Sequence, residues 1–268
     1  MNYLVITGDH PRHLYYLNSI ADYCNLVGIV LEKRECFIPI PPKNLNKKDY
    51  DNFIKHFTNR NKYELEYFGE EGNLPSSPIC YFEDNKLSEK KVIDFINRQQ
   101  PDVIFIFGVL DFVKRIKNKI NQNIILINLN TGLIQRYNGD ATLFWPFYFL
   151  EPNWAGATFH ILDNNLDINS IVHQSVPSLS RGDTIHEVAS KVVLEASKDV
   201  RIIIDYMENN GSTLPIVKKV SGKVFFSNEF RPEHLRIIYE LFDDNLVDTY
   251  LNNDISPEEP SLIRLNNE

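Results

Sequence analysis

Cysteine and long apolar runs are scarce in this chain of 268 residues. The three cysteines, Cys24, Cys36 and Cys80, are odd in number and lack the spacing of a metal site, so we expect free thiols in a reducing cytoplasm. No apolar run approaches the roughly eighteen residues that a membrane helix needs. Residues 1–6 have the pattern of a short strand rather than of a secretory leader. We therefore expect a cytoplasmic protein that makes no membrane contact.

A basic excess is also missing, because the net charge is −8 and the sequence pI is about 5.4. Binding of nucleic acid needs a concentrated basic face, so the charge argues against a nucleic-acid partner. Glycines at the GxGxxG spacing are absent, which gives no support to a dinucleotide site. An anionic small substrate stays compatible with this charge, since one arginine and a helix N-terminus can bind a phosphate on an acidic protein.

Short apolar runs alternate with helical patterns along most of the chain. Strand, helix and strand at this spacing form a βαβ unit, which implies a parallel sheet. We predict an open, mostly parallel, Rossmann-like α/β sheet. The predicted strands cover residues 3–7, 26–31, 79–82, 103–107, 124–127, 156–162 and 170–176, and the predicted helices cover 11–23, 48–68, 88–98, 142–150 and 184–208.

The pattern changes character at residues 209–212. We predict a catalytic domain over 1–208 and a small α+β appendage over 209–268. The appendage is expected to contain a hairpin at Ser221-Gly222, two short helices and a polar tail that frays from Asn252 onward.

A polar, glycine-bearing loop follows the apolar run at 124–127, and Leu166-Asp167 follows a later apolar run. This pairing resembles the N10-formyltetrahydrofolate-dependent formyltransferases, which read Asn-x-His-x-Ser-Leu-Leu-Pro-x-Tyr-x-Gly and then Leu-Asp-x-Gly. Asn128 matches the family's asparagine, Tyr137 its tyrosine and Asp167 its aspartate. Asn130 stands where the family has its catalytic histidine.

The resemblance implies a formyltransferase fold and transfer of a formyl group from N10-formyltetrahydrofolate to an amine. By this resemblance the amide of Asn128 is expected to stabilise the oxyanion. Asp167 stands at the position of the family's aspartate, which pairs with the catalytic histidine and moves protons. Asn130 cannot take a proton, because an amide has no titrating group near neutral pH. Three readings stay open: rerouted chemistry, a binding protein without turnover, or a disabling substitution in an active enzyme. His160 is a substitute base in principle, although a structural strand histidine is the commoner role.

The resemblance also implies where folate binds. A buried strand ends at Phe107, and open α/β sheets bind ligands at such carboxyl ends. In relatives this segment and the loop before the aspartate hold the pterin through backbone contacts. The expected folate contacts are Phe107, Gly108, Val109, Leu110, Asp163 and Asn164.

The turn between the first strand and the first helix reads Gly-Asp-His-Pro-Arg-His. Backbone amides at such a turn bind anions, and an arginine adds a bidentate contact. The motif resembles a subgroup of sugar N-formyltransferases, together with Glu32-Lys33-Arg34 and a His-Phe-x-x-Arg segment at 56–60; surface or ion-paired roles for Arg34, His56 and Arg60 stay open. His10 and His13 lack nearby carboxylate or cysteine clusters, so no metal is expected. The expected substrate contacts are Gly8, Asp9, His10, Arg12, His13, Arg34 and Tyr137.

We therefore expect the acceptor to be an amino sugar, linked to a nucleotide, in the synthesis of a surface polysaccharide such as the lipopolysaccharide O-antigen. The resemblance to sugar formyltransferases implies a homodimer, formed through the sheet edge and the C-terminal segment. The small C-terminal segment and the acidic charge argue against methionyl-tRNA. A formyltransferase that acts on methionyl-tRNA or glycinamide ribonucleotide remains an alternative, as does a non-catalytic relative that binds folate or a sugar nucleotide.

Overall fold

The structure, a computed structural model, describes residues 1–33, 38–69, 73–83, 86–162, 170–218 and 222–265. Its centre is an eight-stranded sheet in the order β3-β2-β1-β4-β5-β7-β8-β9, and a two-stranded sheet pairs β10 with β6. The first five strands in this order, β3, β2, β1, β4 and β5, run parallel to one another. The remaining three, β7, β8 and β9, each pair antiparallel with the strand before them. This confirms the open, mostly parallel, Rossmann-like α/β fold. The strands are β1 Asn2–Gly8, β2 Asn25–Glu32, β3 Ile79–Phe82, β4 Val103–Phe107, β5 Ile125–Asn130, β6 Tyr137–Gly139, β7 Ala157–Ile161, β8 Ser170–Ser175, β9 Val217–Lys218 and β10 Lys223–Phe225.

Helices cover both faces of the large sheet. Side chains of β1 alternate between two separate apolar cores, with Tyr3 and Val5 in one and Leu4 and Ile6 in the other. The first core contains α1 and α6, and the second contains α3 and α4. Burial on both faces explains why the parallel strands read as continuous apolar runs. The helices are α1 Pro11–Ala21, α2 Lys47–Phe68, α3 Lys86–Gln99, α4 Leu110–Ile116, α5 Trp145–Tyr148, α6 Ile185–Asn210 and α7 Leu246–Leu251. No described helix is long and apolar enough to span a bilayer.

The helix predicted over 142–150 is wrong in length, because α5 has only four residues. Ala141 and Leu150 have positive φ angles of 52° and 60°. These left-handed residues stop a helix on either side. By contrast, the long helix begins where the sequence predicts, because Thr184 and Glu187 form a reciprocal capping box at the N-terminus of α6.

The hairpin predicted at Ser221-Gly222 is also wrong. Ser221 lies outside the described residues, but the strands on either side of it have different partners. β9 pairs with β8 in the large sheet, and β10 pairs in parallel with β6. The C-terminal segment therefore contributes strands to two sheets at once.

The tail does not fray after Asn252. Gln174 of β8 accepts a backbone N–H from Ile263 at 3.1 Å, and the Leu265 N–H donates to His173 Nδ1 at 3.0 Å. Leu265 is itself buried. Hydrogen bonds from the tail backbone to two β8 side chains, together with one apolar anchor, thus hold the polar tail on β8 as far as residue 265.

Candidate active site

A cavity of about 890 Å³ opens at the carboxyl ends of the central parallel strands. From β1 the chain adds β2 and β3 on one side of the sheet, and it then crosses back to add β4 and β5 on the other side. The strand order therefore reverses between β1 and β4. Ligands of open α/β folds bind at such a switch point. Eight of the predicted site residues line this cavity: Arg12, His13, Phe107, Gly108, Val109, Leu110, Asn128 and Asn130.

Four other predicted site residues, Arg34, Asp163, Asn164 and Asp167, lie outside the described residues. Gly8, Asp9 and His10 belong to the turn that leads into α1 but are not part of the cavity lining. The roles predicted for these residues stay predictions.

Tyr137 also lies outside the cavity lining. Its hydroxyl donates to Glu151, and its ring stacks at 6.0 Å on Phe225. Burial comes first in raising the pKa of Tyr137, and the neighbouring Glu151 carboxylate raises it further. These contacts anchor the β6 strand, and the predicted substrate contact of Tyr137 stays a prediction.

Two amide side chains mark the end of β5. Asn128 and Asn130 are two residues apart on one strand, so both point to the same face of the sheet. Asn128 Oδ1 and Asn130 Nδ2 are buried and have no hydrogen-bond partner among the described residues. Native proteins seldom leave buried polar atoms unpaired, and such atoms in a cavity wall indicate a place for a polar ligand.

His160 lies directly opposite Asn128 on β7, and its Nε2 is 3.0 Å from Asn128 Nδ2. Burial, with a smaller contribution from the charge of Lys114, lowers the pKa of His160 to about 4. The ring is 1% exposed and does not line the cavity. His160 is therefore a neutral strand histidine behind Asn128, which argues against direct proton transfer with a bound substrate.

Gly108 joins the two predicted binding loops. It has a φ of +78°, and a Cβ there would lie 2.7 Å from the His13 ring. Only glycine combines this left-handed backbone with so close an approach. The His13 ring also packs edge-on against Phe107 at 4.4 Å. The expected folate segment and the expected substrate turn are thus in direct contact.

A charged stripe on α2 lines the same cavity. Glu64 is buried, accepts a hydrogen bond from Arg12, and lies 3.7 Å from Arg60 Nε and 3.8 Å from His10 Nδ1. Burial raises the pKa of Glu64, but Arg12, His10 and Arg60 outweigh burial and hold it below its ordinary value. The guanidinium groups of Arg12 and Arg60 therefore share one carboxylate in this wall. Arg60 is thus ion-paired, one of the two readings that its sequence left open.

Two histidines and a tyrosine form a second polar group in the wall. Tyr239 Oη is 2.9 Å from His56 Nδ1 and 3.3 Å from His186 Nε2. Burial is the largest cause that lowers the pKa of His186 to about 3 and that of His56 well below its ordinary value. Both rings line the cavity as neutral groups, so His56 is not a surface residue.

The sequence gives no local sign of this group. His186 and Tyr239 come from α6 and from the C-terminal segment, and no motif links them to His56. The wall is completed by aromatic residues of the same C-terminal segment, Phe225, Phe226 and Phe230. The segment predicted as an appendage therefore forms part of the cavity. The described residues contain no group of three or more His, Cys, Asp or Glu side chains placed to hold a metal ion.

The sequence matches no protein-family model, and a comparison with curated proteins finds no match. Solved structures do match. Phosphoribosylglycinamide formyltransferase from Anaplasma phagocytophilum has 14% identity and a TM-score of 0.51 over 84% of this chain and 98% of its own. An N-formyltransferase from Helicobacter canadensis, in complex with folinic acid and dTDP-3-aminofucose, has 15% identity and a TM-score of 0.51 over 89% and 80%.

A 4-N formyltransferase from Francisella tularensis has 16% identity and a TM-score of 0.50, covering 85% of this chain and 77% of its own. At this identity the agreement concerns the arrangement of the backbone. The chain has the Rossmann-like fold of the formyltransferases.

Proposed function

We propose that this protein is an N-formyltransferase that moves a formyl group from N10-formyltetrahydrofolate to the amine of a nucleotide-linked amino sugar. The observation that carries the proposal lies in the wall of a cavity at the switch point, where Asn128 Oδ1 and Asn130 Nδ2 are buried without a hydrogen-bond partner among the described residues. The end of β5 that holds them also belongs to the segment that carries the formyltransferase resemblance of the sequence.

Folate is expected along the segment that follows β4. Phe107, Gly108, Val109 and Leu110 line the cavity, where the resemblance implies backbone contacts to the pterin. The unpaired amide atoms at the end of β5 fit a polar group beside this segment. When bound, N10-formyltetrahydrofolate supplies the formyl group. Asp163 and Asn164 are expected to add contacts.

The chemical contribution of this chain is proposed to come from the side-chain amides of Asn128 and Asn130. An amide donor near the formyl oxygen stabilises the negative charge that develops when an amine attacks. Asn130 adds hydrogen-bonding capacity but no base, and loss of a general base costs about two to four orders of magnitude in rate. We therefore propose weak turnover for the chain as it stands. Asp167, the predicted partner of the base, keeps its proposed proton-moving role.

The acceptor is proposed from the charge and shape of the wall. Arg12 and Arg60 both line the cavity, and guanidinium groups bind phosphate oxygens through paired hydrogen bonds. The aromatic residues beside them suit a sugar or nucleobase ring. A volume of about 890 Å³ lies in the range of small-molecule sites. A role in surface polysaccharide synthesis, a cytoplasmic location and a homodimer complete the proposal.

The test uses the protein as given and Asn130→His beside it, each with N10-formyltetrahydrofolate and a panel of nucleotide-linked amino sugars. Mass spectrometry detects the added formyl group. Glycinamide ribonucleotide and methionyl-tRNA belong in the panel, because they are the other acceptors that the resemblance of the sequence leaves open. Asn130→Gln is the matched control, since it keeps an amide and supplies no base.

Product from a sugar nucleotide, larger with the histidine variant, supports the proposal and names the acceptor. Product from glycinamide ribonucleotide or methionyl-tRNA alone would show that this compound, and not a sugar nucleotide, is the acceptor. If neither form gives product yet both folate and sugar nucleotide bind in calorimetry, the protein is a non-catalytic binding relative. Asn130 is the observation that favours this second candidate.

A further inference from the structure

We propose that the C-terminal tail positions Asn130, through hydrogen bonds that run from the backbone of Ile263 across two strands to Gly132. Gln174 of β8 and Thr158 of β7 carry these bonds and are positioning residues for Asn130. The part that Asn130 plays in a reaction rests on the proposed function, but the connection from the tail to residue 130 does not.

Three polar residues form a row across the sheet. Asn130, Thr158 and Gln174 lie directly opposite one another on β5, β7 and β8. Opposite residues of an antiparallel pair share one face of the sheet, so their side chains are neighbours. Ile263 of the tail continues the row, because its N–H donates to Gln174 Oε1 at 3.1 Å and its carbonyl accepts the Gln174 N–H at 2.8 Å. Thr158 and Gln174 are fully buried, so these bonds are made away from solvent.

Backbone atoms fix the direction of the bonds at both ends of the row. The Ile263 N–H can only donate, so the amide oxygen of Gln174 faces the tail and its nitrogen faces Thr158, 3.1 Å away. The Gly132 carbonyl can only accept, so the Thr158 hydroxyl donates to it, at 2.7 Å. The second amide hydrogen of Gln174 has an acceptor in Gln135 Oε1 at 2.6 Å. Each donor of the row is thus matched to an acceptor.

Gly132 passes this restraint on to Asn130. Its N–H donates to the Asn130 carbonyl at 2.9 Å, and a Cβ on Gly132 would lie only 3.2 Å from Asn130 Nδ2. Asn130 Nδ2 itself is buried and has no hydrogen-bond partner among the described residues. The place of this amide is therefore set by the groups that pack against it, and Thr158 holds one of them, Gly132, in position.

The same two side chains restrain the loop beyond Gly132. The Ile134 N–H donates to Thr158 Oγ1 at 3.4 Å, and Gln135 Nε2 donates to Gln174 Oε1 at 3.3 Å. A misplacement of about 1 Å in a catalytic group can lower a rate by about two orders of magnitude. Loss of the tail contact is therefore expected to lower kcat and to leave ligand binding nearly unchanged.

Hydrogen–deuterium exchange of the full chain tests the connection directly. Thr158→Val removes the hydroxyl and keeps the shape, so the amides of residues 132–137 are expected to exchange roughly tenfold faster, as for the loss of one buried hydrogen bond. Thr158→Ser keeps the hydroxyl and is expected to exchange at nearly the parent rate. The amides of β4 are the internal control, because their exchange requires global unfolding rather than opening of the loop. Unchanged exchange of the loop in Thr158→Val overturns the inference.

Ile263→Pro tests the tail end of the row, because proline lacks the N–H and keeps the carbonyl. It is expected to speed exchange of the same loop, and to add little in the Thr158→Val background, since both changes break one row. Arg264→Ala is the control, because that side chain hydrogen-bonds Asp199 and takes no part in the row. Additive effects, or an unchanged loop in Ile263→Pro, overturn the inference. Gln174→Met breaks the middle of the row and gives the same comparison if the proline variant does not fold.

Kinetics add the consequence for catalysis, in the Asn130→His background so that the rate is measurable. Thr158→Val and Ile263→Pro are each expected to lower kcat by roughly tenfold with KM values nearly unchanged. Thr158→Ser is expected to recover most of the rate. Equal kcat values for the valine and serine variants contradict the positioning role. Absence of product from every form refutes the proposed function, while the exchange rates still decide whether the tail is connected to residue 130.

Discussion

Glu64 of α2 is 7% exposed and accepts a hydrogen bond from Arg12 of α1. The contact ties the helix that follows β1 to the long helix that covers the cavity. Because Arg60 Nε lies 3.7 Å from the same carboxylate, Glu64 also offsets the charge of both arginines.

Glu64→Gln is expected to destabilise the fold by about 2 kcal/mol, since two partly buried guanidinium groups lose their common counter-charge. The pKa of Glu64 is lowered in the folded state, so its contribution is present above the unfolded pKa and is lost as the pH falls through the folded pKa. Urea denaturation at neutral and acidic pH measures the difference. Glu195→Gln, in an exposed pair with Lys198, is the control, with a change of less than about 0.5 kcal/mol. Equal effects of the two variants would contradict a structural role for the Glu64 pair.

Arg60→Ala is expected to raise the KM for a nucleotide-linked sugar by about tenfold, equivalent to about 1.4 kcal/mol of binding. The kcat value is expected to change little, because the phosphate contact forms equally in the ground state and the transition state. Steady-state kinetics in the Asn130→His background check this. Arg181→Ala is the control, because Arg181 hydrogen-bonds Asn252 and does not line the cavity. A drop in kcat with an unchanged KM would contradict a role for Arg60 in binding the phosphate groups of the substrate.

Asn130→His is expected to increase turnover by about a hundredfold or more, because it restores a group that takes the amine proton. Single-turnover rates with N10-formyltetrahydrofolate and the identified acceptor give the comparison. Asp167→Asn added to Asn130→His is then expected to abolish the gain. If the gain survives this second change, the role proposed for Asp167 is wrong.

Gly108→Ala is expected to destabilise the protein by about 2 to 3 kcal/mol, since it combines a positive φ with a Cβ 2.7 Å from the His13 ring. Gly182→Ala separates the two causes. Gly182 has a φ of +82° and no atom within 4 Å of the added Cβ, so it reports backbone strain alone. Thermal unfolding of both variants measures the difference. Equal losses would mean that the His13 contact yields without cost.

Local features of the sequence predict the core of the fold. The strand Val103–Phe107 is predicted with its observed bounds, because Pro101-Asp102 and Gly108 delimit an apolar run. The start of α6 follows from the Thr184 cap in the same way. The hairpin prediction fails because strands of two or three residues take their register from distant partners, here Ser170 and Tyr137, which no local pattern specifies.

The residues of the candidate site show the same difference between local motifs and contacts made only in the folded chain. Asn128 and Asn130 were predicted from one contiguous motif, and the structure places both in the cavity wall. His186 and Tyr239 belong to elements that meet only when the chain is packed, so their contact with His56 has no counterpart in sequence spacing. Glu64 was open to prediction, since it lies eight residues after His56 and four after Arg60 and therefore on the same helical face.

The parallel pairing of β10 with β6 bears on the order in which the molecule folds. The five parallel strands from β3 to β5 form from segments that precede β6, and their pairing does not depend on the C-terminal segment. The aromatic wall is in place only after a long loop has closed between Gly139 and Phe225. Contacts of such long range lose much chain entropy before they gain any stability, which makes them slow to form. We therefore expect a newly synthesised or refolding chain to form its five parallel strands before its binding cavity, so that ligand affinity marks the completion of folding.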